Sequence, residues 1–190
     1  AFLFVMIEQG IMTWLPTFNQ EVLELPENVA IMMASILAVS LGVGRFLAGG
    51  LSKKFSWFPV LIVCILGAMA VVYFILPQAV NTDIGLVESL GDVPLIGYAF
   101  PIVGLFIAPI YPLLNSVVLS ALPKKLHSPM SGLIIIFSAL GGTLGSRIIG
   151  YLFQEMGADQ AFTYTLIPMA LLLAALFLLK RLTNKGRAMY

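Results

Sequence analysis

Long apolar stretches separated by short polar segments make up most of the chain. A helix needs about 20 mostly apolar residues to cross the hydrocarbon core of a bilayer, with a usable range of roughly 17–25. Alternation with a period of two, which the strands of a membrane barrel would show, is absent. Six stretches have the length and composition of spanning helices, approximately Ala1–Phe18, Asn28–Leu51, Trp57–Pro77, Val93–Ala121, Pro129–Phe153 and Ala161–Lys180. The pattern therefore predicts an all-α integral membrane protein with six transmembrane helices.

The overall composition agrees with this class and excludes most soluble ones. Of 190 residues, 60% are hydrophobic and 10% are charged, whereas a soluble domain carries about 25% charged residues. Ten basic and nine acidic residues give a net charge of +1, which provides no basic field for a nucleic-acid partner. The single cysteine excludes a disulfide framework and a cysteine-based metal site. No motif of a hydrolase, metalloprotease or nucleotide-binding loop occurs, so neither an enzyme nor a cofactor or metal is expected.

The charged residues sort onto two sides of the predicted membrane. Eight of the ten basic residues fall on one side if the six spans alternate: Lys53, Lys54, Lys124, Lys125, Lys180, Arg181, Lys185 and Arg187. Eight of the nine acidic residues fall on the other side: Glu21, Glu24, Glu27, Asp83, Glu88, Asp92, Glu155 and Asp159. Because basic loops face the cytoplasm, both termini are expected to be cytoplasmic, in a multi-pass protein of a bacterial inner membrane.

The six spans divide into two groups of three. We expect a first three-helix repeat over residues 1–77, an outer connecting loop over 78–92, a second repeat over 93–180 and a cytoplasmic tail over 181–190. Three is odd, so the second unit enters the membrane from the opposite side, as in the inverted repeats of secondary transporters. The alternative is that Gly, Leu and Pro recur by chance in apolar helices. Matching positions include Pro16 with Pro112, Asn19 with Asn115, Gly42 with Gly142, and Gly50 with Gly150.

Three charges remain inside the predicted spans, where a charge costs at least about 2.5–3.5 kcal/mol at the bilayer centre. Glu8 lies near the middle of the first span and is a candidate for proton or substrate handling, with a hydrogen-bonded structural carboxyl as the alternative. Arg45 lies about 9 Å from the cytoplasmic end of the second span and is favoured as a structural or gating residue over a substrate contact. Arg147, in the outer part of the fifth span, either reaches lipid phosphate or faces a cavity as a fixed cation for Glu8 or a substrate oxygen.

Polar and aromatic side chains in the first and fourth spans are the candidates for substrate contact. Gln9 follows Glu8, and Trp14 lies near the outer boundary, where an interface anchor is the competing reading. Tyr111 and Asn115 lie in the proline-rich fourth span. Aromatic faces beside amides suit a sugar ring, which has an apolar face and a polar hydroxyl rim.

Small residues recur at helix-packing spacing in two spans. Ser40, Gly44 and Ala48 form one stripe, and a second consists of Ser138, Gly142 and Gly145. Such stripes let helix backbones approach closely, so we expect packing rather than nucleotide binding.

The run from Gly44 to Phe55, Gly-Arg-Phe-Leu-Ala-Gly-Gly-Leu-Ser-Lys-Lys-Phe, resembles the loop signature between the second and third helices of each half of the major facilitator superfamily. Ser52 replaces the usual acidic residue before the basic pair. The Gly-Arg-Phe variant, the run Ile7-Glu8-Gln9-Gly10 followed by Trp14, and Gly150-Tyr151 are similar to the fucose–galactose–glucose proton symporter branch. The resemblance implies helices seven to twelve of a twelve-helix carrier, with Glu8, Gln9, Trp14, Tyr111 and Asn115 lining the cavity.

We therefore expect the C-terminal half of a secondary active transporter that moves a small polar solute, a sugar by resemblance, by proton-coupled alternating access. The chain starts partway along a helix, which is typical of a fragment. Its expected partners are the N-terminal six-helix half or a second copy, the lipid bilayer and a small-molecule substrate. The alternatives are an efflux carrier of the same fold and a non-transporting membrane assembly module.

Overall fold

The computed structural model describes residues 1–81, 85 and 87–187, and the described part is helical. The helices are α1 (Phe2–Glu21), α2 (Glu27–Lys54), α3 (Trp57–Ala70), α4 (Leu76–Val80), α5 (Ala99–Ile107), α6 (Ile110–Ser120), α7 (His127–Met156), α8 (Ala158–Ala161) and α9 (Leu166–Arg187). A π-helical turn, Val71–Ile75, joins α3 to α4, and 3₁₀ turns cover Leu90–Asp92, Leu95–Tyr98, Lys124–Leu126 and Phe162–Thr165.

Five helical stretches within the described residues are long and apolar enough to cross a membrane: Glu27–Leu51, Trp57–Val80, Leu95–Ser120, Lys124–Met156 and Phe162–Leu182. They correspond to predicted spans two to six. The first predicted span is the 20-residue helix α1, about 30 Å long. It is not among the five, since Glu8, Gln9 and Asn19 interrupt its apolar sequence. The described residues therefore form helices joined by turns and contain five candidate spans, and a sixth crossing by α1 stays a prediction.

Prolines interrupt two of the spans. In the third span, the Leu76 N–H bonds to the Val71 carbonyl, five residues back, directly before Pro77. In the fourth, α5 ends at Ile107 and α6 starts at Ile110. Pro109 has no N–H to donate to the Leu105 carbonyl, and proline also clashes with the preceding turn. Proline, a common cause of a break in a helix, thus lies next to both irregularities.

Helices α1 and α7 pack closely and run in the same direction. A Cβ on Gly141 would overlap with the backbone of Phe2, and one on Gly145 with the backbone of Met6. Because both contacts have the same sequence offset, the two helices are parallel and in register. This confirms Gly145 as a packing residue, and Gly142 also packs against α1, where a Cβ would lie 3.1 Å from the Gln9 Cγ.

Helices α2 and α5 form a second close, parallel pair. A Cβ on Gly44 would lie 2.7 Å from the Ala108 Cβ and 2.9 Å from the Leu105 carbonyl oxygen, and one on Gly104 would lie 3.0 Å from the Ser40 Cβ. Ser40 and Ala48 are buried. The predicted Ser40, Gly44 and Ala48 stripe is therefore confirmed as a packing surface.

Part of the predicted connecting loop at 78–92 is ordered by side-chain hydrogen bonds. Asp92 accepts hydrogen bonds from the Ser89 hydroxyl at 2.9 Å and from the Ser89 N–H at 2.8 Å. These bonds hold the pKa of the Asp92 carboxyl below its usual value. Asp83, one of the acidic residues used to orient the chain, lies outside the described residues.

One residue in the turn between α1 and α2 has a backbone conformation that is unfavourable for residues other than glycine. Glu24 has φ of +51°, in the left-handed region that costs a residue with a Cβ about 1–2 kcal/mol. Glu24 is exposed, so its side chain has little packing to lose.

We therefore expect Glu24→Gly to raise the free energy of unfolding by about 1 kcal/mol, because glycine adopts this conformation without strain. Thermal unfolding in detergent measures the change. Glu21→Gly, in the last turn of α1, is the matched control and should lower stability instead. A loss of stability in both variants would contradict the assignment of strain to Glu24.

Candidate functional site

An ion pair between α1 and α2 forms the centre of the candidate site. The Arg45 Nη2 donates a hydrogen bond to the Glu8 Oε1 at 2.6 Å. The two side chains differ in exposure, with 8% of the Glu8 side chain accessible and 51% of the Arg45 side chain. The carboxylate is thus enclosed by protein, while the guanidinium extends from the carboxylate to the surface of the bundle.

The antiparallel arrangement of α1 and α2 produces this contact. A short turn over Val22–Pro26 joins the two helices, and Asn19 Nδ2 bonds to the Ala30 carbonyl near it at 3.4 Å. Glu8 lies roughly 20 Å along α1 from that turn at 1.5 Å per residue. The pair therefore lies deep within the length of the helices and far from the acidic turn.

Gln9 and Thr13 extend the polar surface beside Glu8. They are four residues apart and so share one face of α1. Thr13 is exposed and Gln9 is half-buried, and the Gln9 Cγ would lie 3.1 Å from a Cβ on Gly142 of α7. This face of α1 carries polar groups where a lipid-facing helix would carry apolar ones, which is typical of a helix that lines a wet cavity.

Trp14 is fixed against α7. Its indole N–H donates to the Ser146 carbonyl at 2.7 Å, and its ring lies directly over Gly150. The ring also packs at a tilt against Phe153, with ring centroids 5.2 Å apart. The polar atom of the predicted substrate-binding tryptophan is thus used in helix packing, and its role towards a substrate stays a prediction.

Tyr111 and Asn115 lie one turn apart on α6, and both are half-buried. The Tyr111 hydroxyl is 3.4 Å from the Ser138 hydroxyl of α7, and its ring lies 5.7 Å from that of Phe4. Phe4 is one turn before Glu8 on α1. The structure therefore brings Tyr111 to the neighbourhood of the ion pair through Phe4, while Ser138, predicted as a packing residue, contacts the Tyr111 hydroxyl.

Arg147 is exposed on α7 and does not contact Glu8. Gly141 and Gly145 face α1, so Arg147, two residues after Gly145, points away from α1 at 100° per residue. The cation that pairs with Glu8 is Arg45. Sequence spacing alone could not decide between the two, because it does not fix the rotation of one helix relative to another.

Asn19 is a polar residue whose importance the sequence did not show beyond its match to Asn115. Its side chain is fully buried, and within the described part of the chain its Oδ1 has no hydrogen-bond partner. A buried amide without a full set of partners is rare. Besides that match, the signal in the sequence was its position at the polar end of an apolar run.

The described residues contain no cluster of His, Cys, Asp or Glu that could hold a metal ion. The chemistry that this arrangement allows is proton binding and release at Glu8, together with recognition of polar groups by Arg45, Gln9 and Thr13. Glu8 can exist as a carboxylate paired with Arg45 or as a neutral acid.

Comparison with known proteins supports the resemblance seen in the signature after Gly44. Residues 1–146, from α1 into α7, match the model of the Major Facilitator Superfamily. No curated protein and no solved structure gives a significant match. Because the matched region covers more than half of the 190 residues, the chain belongs to the Major Facilitator Superfamily, whose members are membrane transporters.

Proposed function

We propose that this chain is one six-helix half of a proton-coupled secondary transporter, which moves a small polar solute, a sugar or a sugar derivative, by alternating access. The Glu8–Arg45 pair is the main support. It places a protonatable carboxylate on a polar face of a helix within a bundle that is otherwise suited to lipid. Residues of this kind in membrane segments mark proton or substrate pathways.

The packing of the helices supports a sixth crossing by α1 and an inverted repeat. In an alternating bundle, spans one and five run in the same direction, as do spans two and four. The close parallel pairs α1–α7 and α2–α5 have these directions. A pseudo-twofold axis would exchange the first span with the fourth and the second with the fifth. This exchange converts the pair α1–α7 into the pair α2–α5.

In this arrangement the basic loops and both ends of the chain face the cytoplasm of a bacterial cell, because positive residues favour that side. Thr13 and Arg45 are exposed and Gln9 is half-buried, and we place the polar face that they form on the outside of the six-helix bundle. A second six-helix unit, either an N-terminal half or another copy of this chain, would enclose that face and complete a cavity. Rocking of the two units would then open the cavity to each side in turn.

Glu8→Gln tests the proton-coupling role. The amide keeps the size and hydrogen-bonding capacity of the side chain but cannot load and release a proton. In the intact carrier we expect loss of solute accumulation driven by a pH gradient, while exchange of labelled for unlabelled solute continues. Uptake into proteoliposomes with and without an imposed gradient measures both activities.

The matched control is Glu155→Gln, which removes an exposed carboxylate at the end of α7 and should leave both activities unchanged. Full gradient-driven accumulation in Glu8→Gln would remove Glu8 from the coupling mechanism. Absence of any proton-linked flux in the unmodified carrier would contradict the proposed function itself.

A further inference from the structure

The Arg45 guanidinium has more hydrogen-bonding capacity than Glu8 uses. A guanidinium carries five N–H donors in a planar fork, and the bond from Nη2 to a single carboxylate oxygen of Glu8 uses one of them. Half of the Arg45 side chain is exposed, and Thr13, five residues after Glu8 on α1, is exposed as well. The unused edge of the fork can therefore reach a molecule in the cavity without displacing Glu8.

The charge balance of the pair changes when Glu8 takes up a proton. With Glu8 ionised, the two charges compensate. With Glu8 neutral, the half-exposed Arg45 guanidinium keeps its charge and has no protein carboxylate bound to it. Protonation of Glu8 thus makes Arg45 available to an anion.

No other described side chain supplies that anion. Of the helices that pack against α1, α2 contributes Arg45 itself, and Arg147 of α7 faces away from Glu8. The nearest titratable group of α6, Tyr111, contacts Phe4 rather than the pair, and Tyr164, which lines a cavity together with Met6 and Ile7, carries a phenol and not a carboxylate. An anionic ligand in the cavity can supply the compensating charge.

A sugar hydroxyl can accept a hydrogen bond from Arg45 but brings no charge. A carboxylate accepts hydrogen bonds and also carries a negative charge, and its two oxygens match the guanidinium fork with two parallel hydrogen bonds. Gln9 and Thr13 remain available for hydroxyl groups on the same ligand.

We propose that the substrate is a small hydroxylated monocarboxylate, of the sugar-acid class, whose carboxylate binds Arg45 when Glu8 is protonated. The inference rests on the proposed function and names its substrate class. One proton adds to the Glu8 carboxylate and one anion binds beside it, so the loaded site has the same net charge as the empty one. Proton and anion then cross the membrane together without net charge movement.

Proteoliposomes with the intact carrier test this with gluconate and galactonate, each paired with its neutral parent sugar, glucose or galactose. An inward proton gradient should drive accumulation of a sugar acid, and a potassium diffusion potential should not change its rate. Accumulation of a neutral sugar with inward movement of positive charge would overturn the substrate class but support the proposed function. If no compound of either class responds to the proton gradient, both proposals fail.

Binding of the sugar acid to the unmodified carrier should weaken as pH rises, because ionised Glu8 recaptures Arg45 and the two anions then compete. In Glu8→Gln the binding should persist and lose its pH dependence. A merely structural ion pair would give no such change in the pH profile, and pH-independent binding by the unmodified carrier would overturn the proposal.

Arg45→Lys keeps the charge but loses the planar fork. We expect KM for the sugar acid to rise about tenfold or more, as befits a lost hydrogen bond to a charged group, with a smaller effect on kcat. Lys125→Gln, at the exposed α6–α7 connection, is the control and should leave KM unchanged. An unchanged KM in Arg45→Lys would place the carboxylate elsewhere.

Discussion

Gly145→Ala is expected to destabilise the protein by about 1–3 kcal/mol, the range found for overpacked cores. The added methyl group would overlap with the carbonyl group of Met6. A backbone atom cannot rotate away as a side chain can, so α1 and α7 must separate along their contact. The separation would also weaken the neighbouring contact at Gly141 and the Trp14 N–H bond to Ser146.

Gly132, also on α7, provides a matched control. A Cβ on Gly132 would meet nothing within 4 Å, so Gly132→Ala should be neutral or stabilise the helix by up to about 1 kcal/mol through higher helix propensity. Thermal or denaturant unfolding of both variants in detergent measures the difference. Equal stability of the two variants would mean that α1 and α7 are not in the contact described here.

Arg45→Gln is expected to cost more stability than Glu8→Gln, although the two substitutions remove the same ion pair. Loss of Arg45 leaves the buried Glu8 carboxylate without its partner, at a cost of about 1–3 kcal/mol or more for an unsatisfied charged group. Loss of the Glu8 charge leaves an arginine that is already half exposed and can turn its guanidinium towards water.

A double-mutant cycle with both glutamines isolates the interaction. We expect a coupling energy of about 0.5–3 kcal/mol, typical of residues in direct contact, from unfolding free energies of the four proteins under one condition. Arg147→Gln combined with Glu8→Gln should show additivity, because Arg147 lies on the far side of α7. Additive effects for Glu8 and Arg45 would show that the pair is absent in the folded protein.

The sequence predicted the apolar helices well because the bilayer imposes a length that can be counted. The predicted span Asn28–Leu51 lies inside α2, Glu27–Lys54. The Ser40, Gly44 and Ala48 stripe was also predictable, since close packing requires small residues at fixed spacing. The first span was the difficult case. Its polar residues, which make it a candidate site, also reduce the apolar character by which a span is recognised.

The pairing of side chains between helices could not be predicted in the same way. Glu8 had two possible cations in the sequence, and the choice of Arg45 over Arg147 depends on the rotation of α2 and α7 about their axes. Trp14 showed the same limit, because an aromatic residue near the outer boundary fits an interface anchor, a substrate contact or a packing residue equally well. Its bond to Ser146 follows from the register of α1 on α7.

The break between α5 and α6 has a mechanical consequence for the ion pair. Pro109 leaves the Leu105 carbonyl without a helical donor, and Gly44 is packed directly against that part of the chain. A change in the angle between α5 and α6 would push on α2 one residue before Arg45. If the fourth span bends at Pro109, we therefore expect the contact at Gly44 to carry that movement to the neighbouring Arg45.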